Sequence, residues 1–551
     1  MANPFNSVEI PLPNQSLFHK KWDNKLSFEM GDLVPVSVME VLPGDRIKLS
    51  VESFVRFLAM QAPAMADFDI QIDAHFVPFR ILMNNEYWNN FQDPSTALSL
   101  PIMRLQNTFK DTYPGMLQTG TLADYLGFPT TGSISGHPGA PNEVQLLSLP
   151  FKGYQLIYNE KYRDQNTTPA VDIDIDNVDM IEVETIHELM TLRKKCYKKD
   201  YFTSALPSPQ RGEDVAIPIE GDVTIGFDET PHGNTIYTND AAGFAATSPI
   251  YDVLINSGDR SKAQLEAKNA NGDFIGFSLD NSSNLSGRLS RITSYIADLR
   301  NAMTIQSVLE LFARVGGRVQ ERLKALWGVA PPDLRISVPK FLGSAVSPMV
   351  IGEVLQTSES NVTPQGHMTG HAVGLNQGFL FDETFDEFGY IYVIMSVNPR
   401  ASYFQGLPRK YARRSYYDLA NPRFANIGEQ EIKGSELLYY YPWESDDGTN
   451  SASVLNDRTF GYQQRYAEYK YNPSEVHGDF KGSLMAWHSG RKFDSEFPPY
   501  LNKDFLEITT PPQLFAVTEE SNVNQRVLAQ VAFDSLEKRS LPFYSIPQFP
   551  K

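Results

Sequence analysis

Two clusters of cations interleaved with tyrosines carry the chain's strongest chemical signal. Arg193, Lys194, Lys195, Lys198 and Lys199 surround Tyr197; Arg409, Lys410, Arg413 and Arg414 alternate with Tyr411, Tyr416 and Tyr417. Guanidinium and ammonium groups meet phosphates, and phenol rings stack on bases, so this pattern suits single-stranded nucleic acid. A solvated face, or ion pairs with an acidic neighbouring subunit, is the plainer reading of the residues alone.

Other groups point to less. His367 and His371 are four apart, as zinc ligands on a helix would be, but Gly366 and Gly370 oppose a helix and no Glu base lies between them. A polar loop is expected there. Asp172, Asp174 and Asp176 echo the opening of a calcium loop, yet Asn177 and Val183 stand where Gly and Glu are needed. A solvated acidic stretch is the expectation. Gly132-Ser133-Ile134-Ser135-Gly136 places Ile134 where a nucleophile elbow needs serine. There is no Gly-Lys-Ser/Thr phosphate loop and no dinucleotide fingerprint. No catalytic residue, metal site or cofactor is therefore expected. Sequence spacing cannot reveal the paired carboxylates of a glycosidase, so a β-sandwich carbohydrate-active or glycan-binding protein is the alternative.

The balance of charge narrows the partners. The 551 residues carry 66 acidic and 48 basic side chains, a net charge of −18. Such a chain does not neutralise nucleic acid over its whole surface, so packed DNA would need a basic partner or bound cations. The single cysteine, Cys196, excludes an intrachain disulfide. The opening Met1-Ala2-Asn3-Pro4-Phe5 has neither the basic nor the apolar region of a secretory signal, and no run reaches the roughly 18 apolar residues of a membrane span. A protein made and used in a cytoplasm is expected.

The elements that position these groups read mainly as β. Val34 to Leu42 is strand-like, Pro43-Gly44-Asp45 is a turn, and Arg46 to Glu52 alternates with Ile47, Leu49 and Val51 on one face. Ile70 to Val77 alternates again, and Tyr390 to Val397, Leu514 to Thr518 and Arg526 to Phe533 are later strand candidates. Helical spacing is clearest over 291–328, interrupted at Gly316-Gly317, and Leu156 to Tyr162 reads as part of a helix. Strands at both ends with loops between suit a Greek-key sandwich such as a jelly roll. Five stretches follow. Residues 1–83 hold an N-terminal arm and the first strands; 84–212 hold inserted loops and short helices. Residues 213–290, rich in Asp, Asn, Gly, Thr and Ser, read as a variable surface insertion. Residues 291–330 are a helical segment, and 331–551 hold the remaining strands, inter-subunit loops and a C-terminal arm.

Several blocks, in order along the chain, resemble the major capsid protein of the Microviridae, the small tailless single-stranded-DNA bacteriophages, especially the gokushovirus-like branch. They are Tyr154–Glu160 with Arg163–Asn166; Asp200–Gly212; Gly328-Val329 with Pro332–Arg335, Pro339–Gly343 and Glu353–Ser358; Gln405–Asp418 with Gly428–Gln430; and Phe460–Lys470 reaching Trp487-His488. The resemblance implies an eight-stranded antiparallel jelly roll with large loop insertions containing short helices. It implies a T=1 icosahedral shell enclosing circular single-stranded DNA, and a virion protein assembled in the host bacterial cytoplasm. Its implied partners are other copies of the chain, the packaged DNA, a small basic DNA-binding virion protein and a bacterial surface receptor, the last met by the 213–290 protrusion. Loops at 84–168 and 340–440 are then expected at the symmetry axes, with Pro-rich termini lying on neighbouring subunits.

Overall fold

A computed structural model describes residues 15–91, 99–130, 143–176, 179–212, 296–315, 324–325, 338–355, 368–441, 452–516 and 525–544, with short strands between 223 and 289. The chain forms two compact units, one of residues 1–211 with 310–551 and the other of residues 212–309.

The first unit is built on two facing antiparallel sheets. Their strands are β1 (Ser16–Phe28), β2 (Val34–Val41), β3 (Arg46–Phe57), β4 (Phe68–Pro78), β5 (Lys340–Pro348), β6 (Val350–Leu355), β7 (Met368–Thr384), β8 (Gly389–Pro399) and β9 (Val527–Arg539). One sheet has the order β1-β9-β3-β7-β6 and the other β5-β4-β8-β2. The chain crosses between sheets so that sequence neighbours seldom pair. With β6 set aside, eight strands wrap as two Greek keys, the jelly-roll topology. The ninth, β6, is an addition to the expected eight and lies at an edge.

Alternation explains the sandwich. In β3 the residues Ile47, Leu49, Val51 and Val55 are fully buried, while Arg46, Lys48 and Glu52 face away. Strands β4 and β8 contribute Ile70, Ile72, Ile391, Val393 and Met395 to the same core. Gly44 makes the β2–β3 turn at φ +87°, a conformation that L side chains rarely adopt. Asp45 follows it, accepting from the Leu42 N–H at 3.0 Å. Its other neighbour is Arg539, which pairs with both Asp45 (3.2 Å) and Glu537 (2.8 Å).

Two further cores stand beside the sandwich. The segment after β4 folds into short helices and a three-stranded sheet of Ile102–Gln106, Glu143–Leu147 and Asp179–Met180. Its helix Leu149–Ile157, continued by a π-helical turn Tyr158–Tyr162, lies on the outer face of β8. There the Tyr392 hydroxyl donates to the Pro150 carbonyl at 2.9 Å, and a side chain at Gly153 would strike that tyrosine. A third core gathers Tyr201, Phe202, Tyr403, Ile432, Phe460 and Phe505.

Three local expectations change. Leu514 to Thr518 is not a strand where it is described: Pro511 and Pro512 set a 3-10 turn ending at Leu514, and Leu514 and Phe515 are apolar because they plug the sandwich core. Residues 340–384, expected within long loops, supply β5 to β7 instead, while the strand expected at Tyr390 to Val397 is β8. His371 sits in β7 rather than in a loop. His367, the Gly132–Gly136 stretch, the chain ends 1–14 and 545–551, and most of the second amphipathic piece after Gly317 lie outside the described residues.

The second unit contains short antiparallel strands. Val223–Phe227 pairs with Leu285–Leu289; Asp252–Asn256 pairs with Gln264–Lys268, which also pairs with Phe274–Ile275. Tyr237–Asn239 pairs with Ala245–Ala246 and Phe277–Ser278. The helix Ile296–Val315 follows in the chain.

Candidate nucleic-acid interface

The first cluster is largely a structural tie. The Leu33 N–H donates to Arg193 O at 2.9 Å, Lys195 N–H to Gly31 O at 2.7 Å, Ile508 N–H to Lys195 O at 2.9 Å and Tyr197 N–H to Leu506 O at 2.8 Å. The segment thus runs between the β1–β2 connection and residues 506–508. Arg193 is buried: its Nε donates to Gln155 Oε1 at 2.8 Å, and its Nη2 to the backbone and carboxylate oxygens of Glu188 at 2.7 Å. This contact holds the Glu188 carboxyl below its usual range, chiefly through the Arg193 hydrogen bond. Tyr197 is buried beneath the Arg491 guanidinium, 4.6 Å from its ring centre. Lys195 donates to Gln71, and burial depresses its pKa. Burial therefore takes Arg193 and Tyr197 away from any surface ligand, and half-buried Lys195 is committed to Gln71. Lys198 is exposed, Lys199 pairs with Asp164 at 2.5 Å, and Lys194 stands 4.0 Å from Asp32.

The second cluster is displayed. Pro408 opens the one-turn helix Arg409–Ala412, and a 3-10 turn Tyr416–Asp418 follows. The Asp418 carboxylate accepts from the N–H groups of Arg414 (2.9 Å) and Ser415 (2.7 Å), which lowers its pKa and fixes the turn. Tyr411, Tyr416 and Tyr417 are 71%, 72% and 71% exposed. Three large rings held outward on one loop form the kind of exposed aromatic surface that marks an interaction site.

The cations of this loop divide into two kinds. Arg409 donates to Glu436 at 3.1 Å, and Arg413 to Glu468 at 3.3 Å while stacking 4.5 Å from the Tyr469 ring centre. Burial opposes the Arg409 charge, but Glu436, Tyr201 and Glu468 outweigh it and hold the guanidinium charged. Burial in turn pushes Glu436 up, against the pull of Arg409. These two arginines anchor the loop. Lys410 and Arg414 are exposed, with the Lys410 ammonium 5.1 Å from the Tyr411 ring centre.

Two clefts flank the loop. One, of about 300 Å³, is lined by Phe404, Pro408, Tyr411, Tyr471 and Lys481 among others; the second, of about 580 Å³, by Arg414, Tyr417, Lys433 and Arg465. Tyr471, Lys481 and Arg465 lie some distance downstream in the chain, and no local spacing in the sequence marks them as partners of the 409–417 loop.

The remaining chemical candidates resolve simply. Among the described residues no group of three or more His, Cys, Asp or Glu is placed to hold a metal ion. The 172–176 stretch instead receives a buried ammonium. Lys152 is fully buried and donates to Asp174 O at 2.8 Å; burial lowers its pKa to about 8, while Asp174, Asp172 and Asp176 oppose that shift. No helix among the described residues is long and apolar enough to cross a membrane.

The comparisons with known proteins agree with this architecture. The model of the phage capsid protein (F protein) family matches residues 9–549. The chain belongs to that capsid protein family. The capsid protein VP1 of Bdellovibrio phage phiMH2K is 31% identical to it, with 99% of this chain and 98% of the relative covered. VP1 of Chlamydia phage 1 is 28% identical, covering 99% and 98%, and VP1 of Spiroplasma virus 4 is 27% identical, covering 98% and 96%. All three come from Microviridae. The capsid chain is thus a structural component of the virion and not an enzyme, and the glycan-active alternative falls away.

Proposed function

We propose that sixty copies of this capsid chain close into a T=1 icosahedral shell around circular single-stranded DNA, one copy to each asymmetric unit. The observation that carries the proposal is the match to phage capsid proteins along almost the whole chain, joined to a jelly-roll sandwich. Five- and three-fold contacts are heterologous and close because their rotations close. Each contact can be modest, since every subunit is held on several sides at once.

In this reading the Lys410, Arg414, Tyr411, Tyr416 and Tyr417 surface faces the genome, with Lys198, Lys199 and Lys194 as lesser contributors. Exposed rings offer stacking and exposed cations meet phosphate without sequence preference. The net charge of −18 means that these few cations balance only part of the DNA charge. A small basic virion protein supplies the rest. The 213–290 insertion meets a bacterial surface receptor. Shells formed by the Lys410→Glu, Arg414→Glu double variant test the DNA-facing surface. They should form but protect less DNA from nuclease than wild-type particles. Equal protected DNA would remove this loop from the genome-facing surface. Replacing 213–290 with a short linker should leave shells intact and abolish adsorption; unchanged adsorption would move the receptor site elsewhere.

A further inference from the structure

Strands β5 and β6 are consecutive, separated only by buried Met349, and among the described residues each is the last strand of its sheet. Their free edges therefore lie on one side of the sandwich. Sheet edges in isolated proteins are usually guarded by lysine, proline or inward charges, because unpaired N–H and C=O groups template pairing with another chain. Strand β6 has little such protection. Its sequence is Val350-Ile351-Gly352-Glu353-Val354-Leu355, with one charge and no lysine. Val350 is 70% exposed, and Val354 and Leu355 are also exposed. The neighbouring face continues the apolar surface: Val350 lies opposite Val373, and exposed Leu375 lies opposite exposed Phe54 on β3.

We propose that the β6 edge pairs antiparallel with β6 of a second copy of this chain across a two-fold axis. The sequence favours such an occupant. In a register centred on Gly352, Val350 of each copy opposes Val354 of the other, and Ile351 opposes Glu353, so no like charges stand directly opposite. One surface then serves both partners, as an isologous contact requires. The lone acidic charge disfavours nucleic acid as the occupant. The proposal rests on the shell reading above for its supply of second copies.

Hydrogen exchange on wild-type shells and on unassembled wild-type subunits tests it. Amides of Val350–Leu355 should exchange at least about tenfold more slowly in shells. The Val350→Lys, Val354→Lys double variant should keep the wild-type circular dichroism of the unassembled chain while its shell yield collapses. Equal exchange in shells and subunits, or a wild-type yield from the folded variant, would overturn the edge contact. If the variant fails to fold, the wild-type exchange comparison decides alone. A wild-type chain that makes no shells at all would instead sink the shell reading, which separates the two failures.

Discussion

Replacing Arg193 with alanine separates a structural tie from a nucleic-acid contact. The guanidinium is buried and donates to Gln155, to the Glu188 backbone and to the Glu188 carboxylate, with its centre 5.5 Å from the Tyr158 ring centre. The contributions are unequal. Glu188 is 56% exposed, so its carboxylate returns to water and the ion pair itself contributes under about 1 kcal/mol. Gln155 is fully buried, and losing the donor to its Oε1 costs about 1–3 kcal/mol. Loss of the cation over the Tyr158 ring adds about 1–2 kcal/mol. Arg193→Ala should therefore destabilise the unassembled subunit by about 2–6 kcal/mol. In a chain this long that corresponds to a melting shift on the order of 1–2 °C per kcal/mol. The assay is thermal melting of DNA-free subunits followed by circular dichroism. Arg193→Lys should recover little, because a point charge cannot reproduce the fork that reaches Gln155 and Glu188 together. A variant that melts within about 1 °C of wild type, yet packages less DNA, would refute the burial argument and restore Arg193 as a ligand contact.

Three other perturbations probe the subunit's interior. Burial lowers the His75 pKa to about 4, so the folded state resists protonation. Its contribution to stability should be constant above about pH 6.5 and fall by up to about 3 kcal/mol as pH drops toward 4; in denaturant titrations across that window wild type should lose that stability relative to His75→Gln, and a pH-independent difference between the two would refute it. Burial raises the Asp32 pKa to about 6, so its contribution is present below about 3.8 and lost as pH rises through 6. Asp32→Asn should accordingly stabilise by about 1–3 kcal/mol at pH 7 and by almost nothing at pH 4, read from the same titrations. Gly406→Ala would drive a methyl into the Glu436 carbonyl, and should cost about 1–3 kcal/mol or more in a melt while loosening the Arg409 anchor.

Much of the sandwich was legible because its strands keep one face dry. The alternation at Ile47, Leu49 and Val51, and the apolar run Tyr390 to Val397, reflect burial directly. Strand β7 gives no such signal: Gly370, Gly374 and Gly378 interrupt it, and its outward face shows Leu375 and Phe379 rather than polar residues. Strand β1 hides its pattern differently, since edge-side lysines at 20, 21 and 25 dominate its composition while Trp22, Leu26 and Phe28 face the core. The plug at Leu514 and Phe515 shows the opposite error, where apolar character came from burial without strand geometry. For the candidate interface, residue type marked both basic clusters, but composition cannot tell a cation that ties elements together from one held outward. Arg193 and Arg414 read alike in sequence. Their difference lies in tertiary partners, Gln155 and Glu188 in one case and solvent exposure in the other.

In the proposed shell, copies of this chain bury their surfaces against one another in a closed particle. Electron microscopy of the purified chain at neutral pH, with sedimentation velocity on the same sample, measures this most directly. Uniform closed shells of megadalton mass are predicted. A folded, concentrated sample that sediments only as monomers or small oligomers, with no shells in the images, would contradict it.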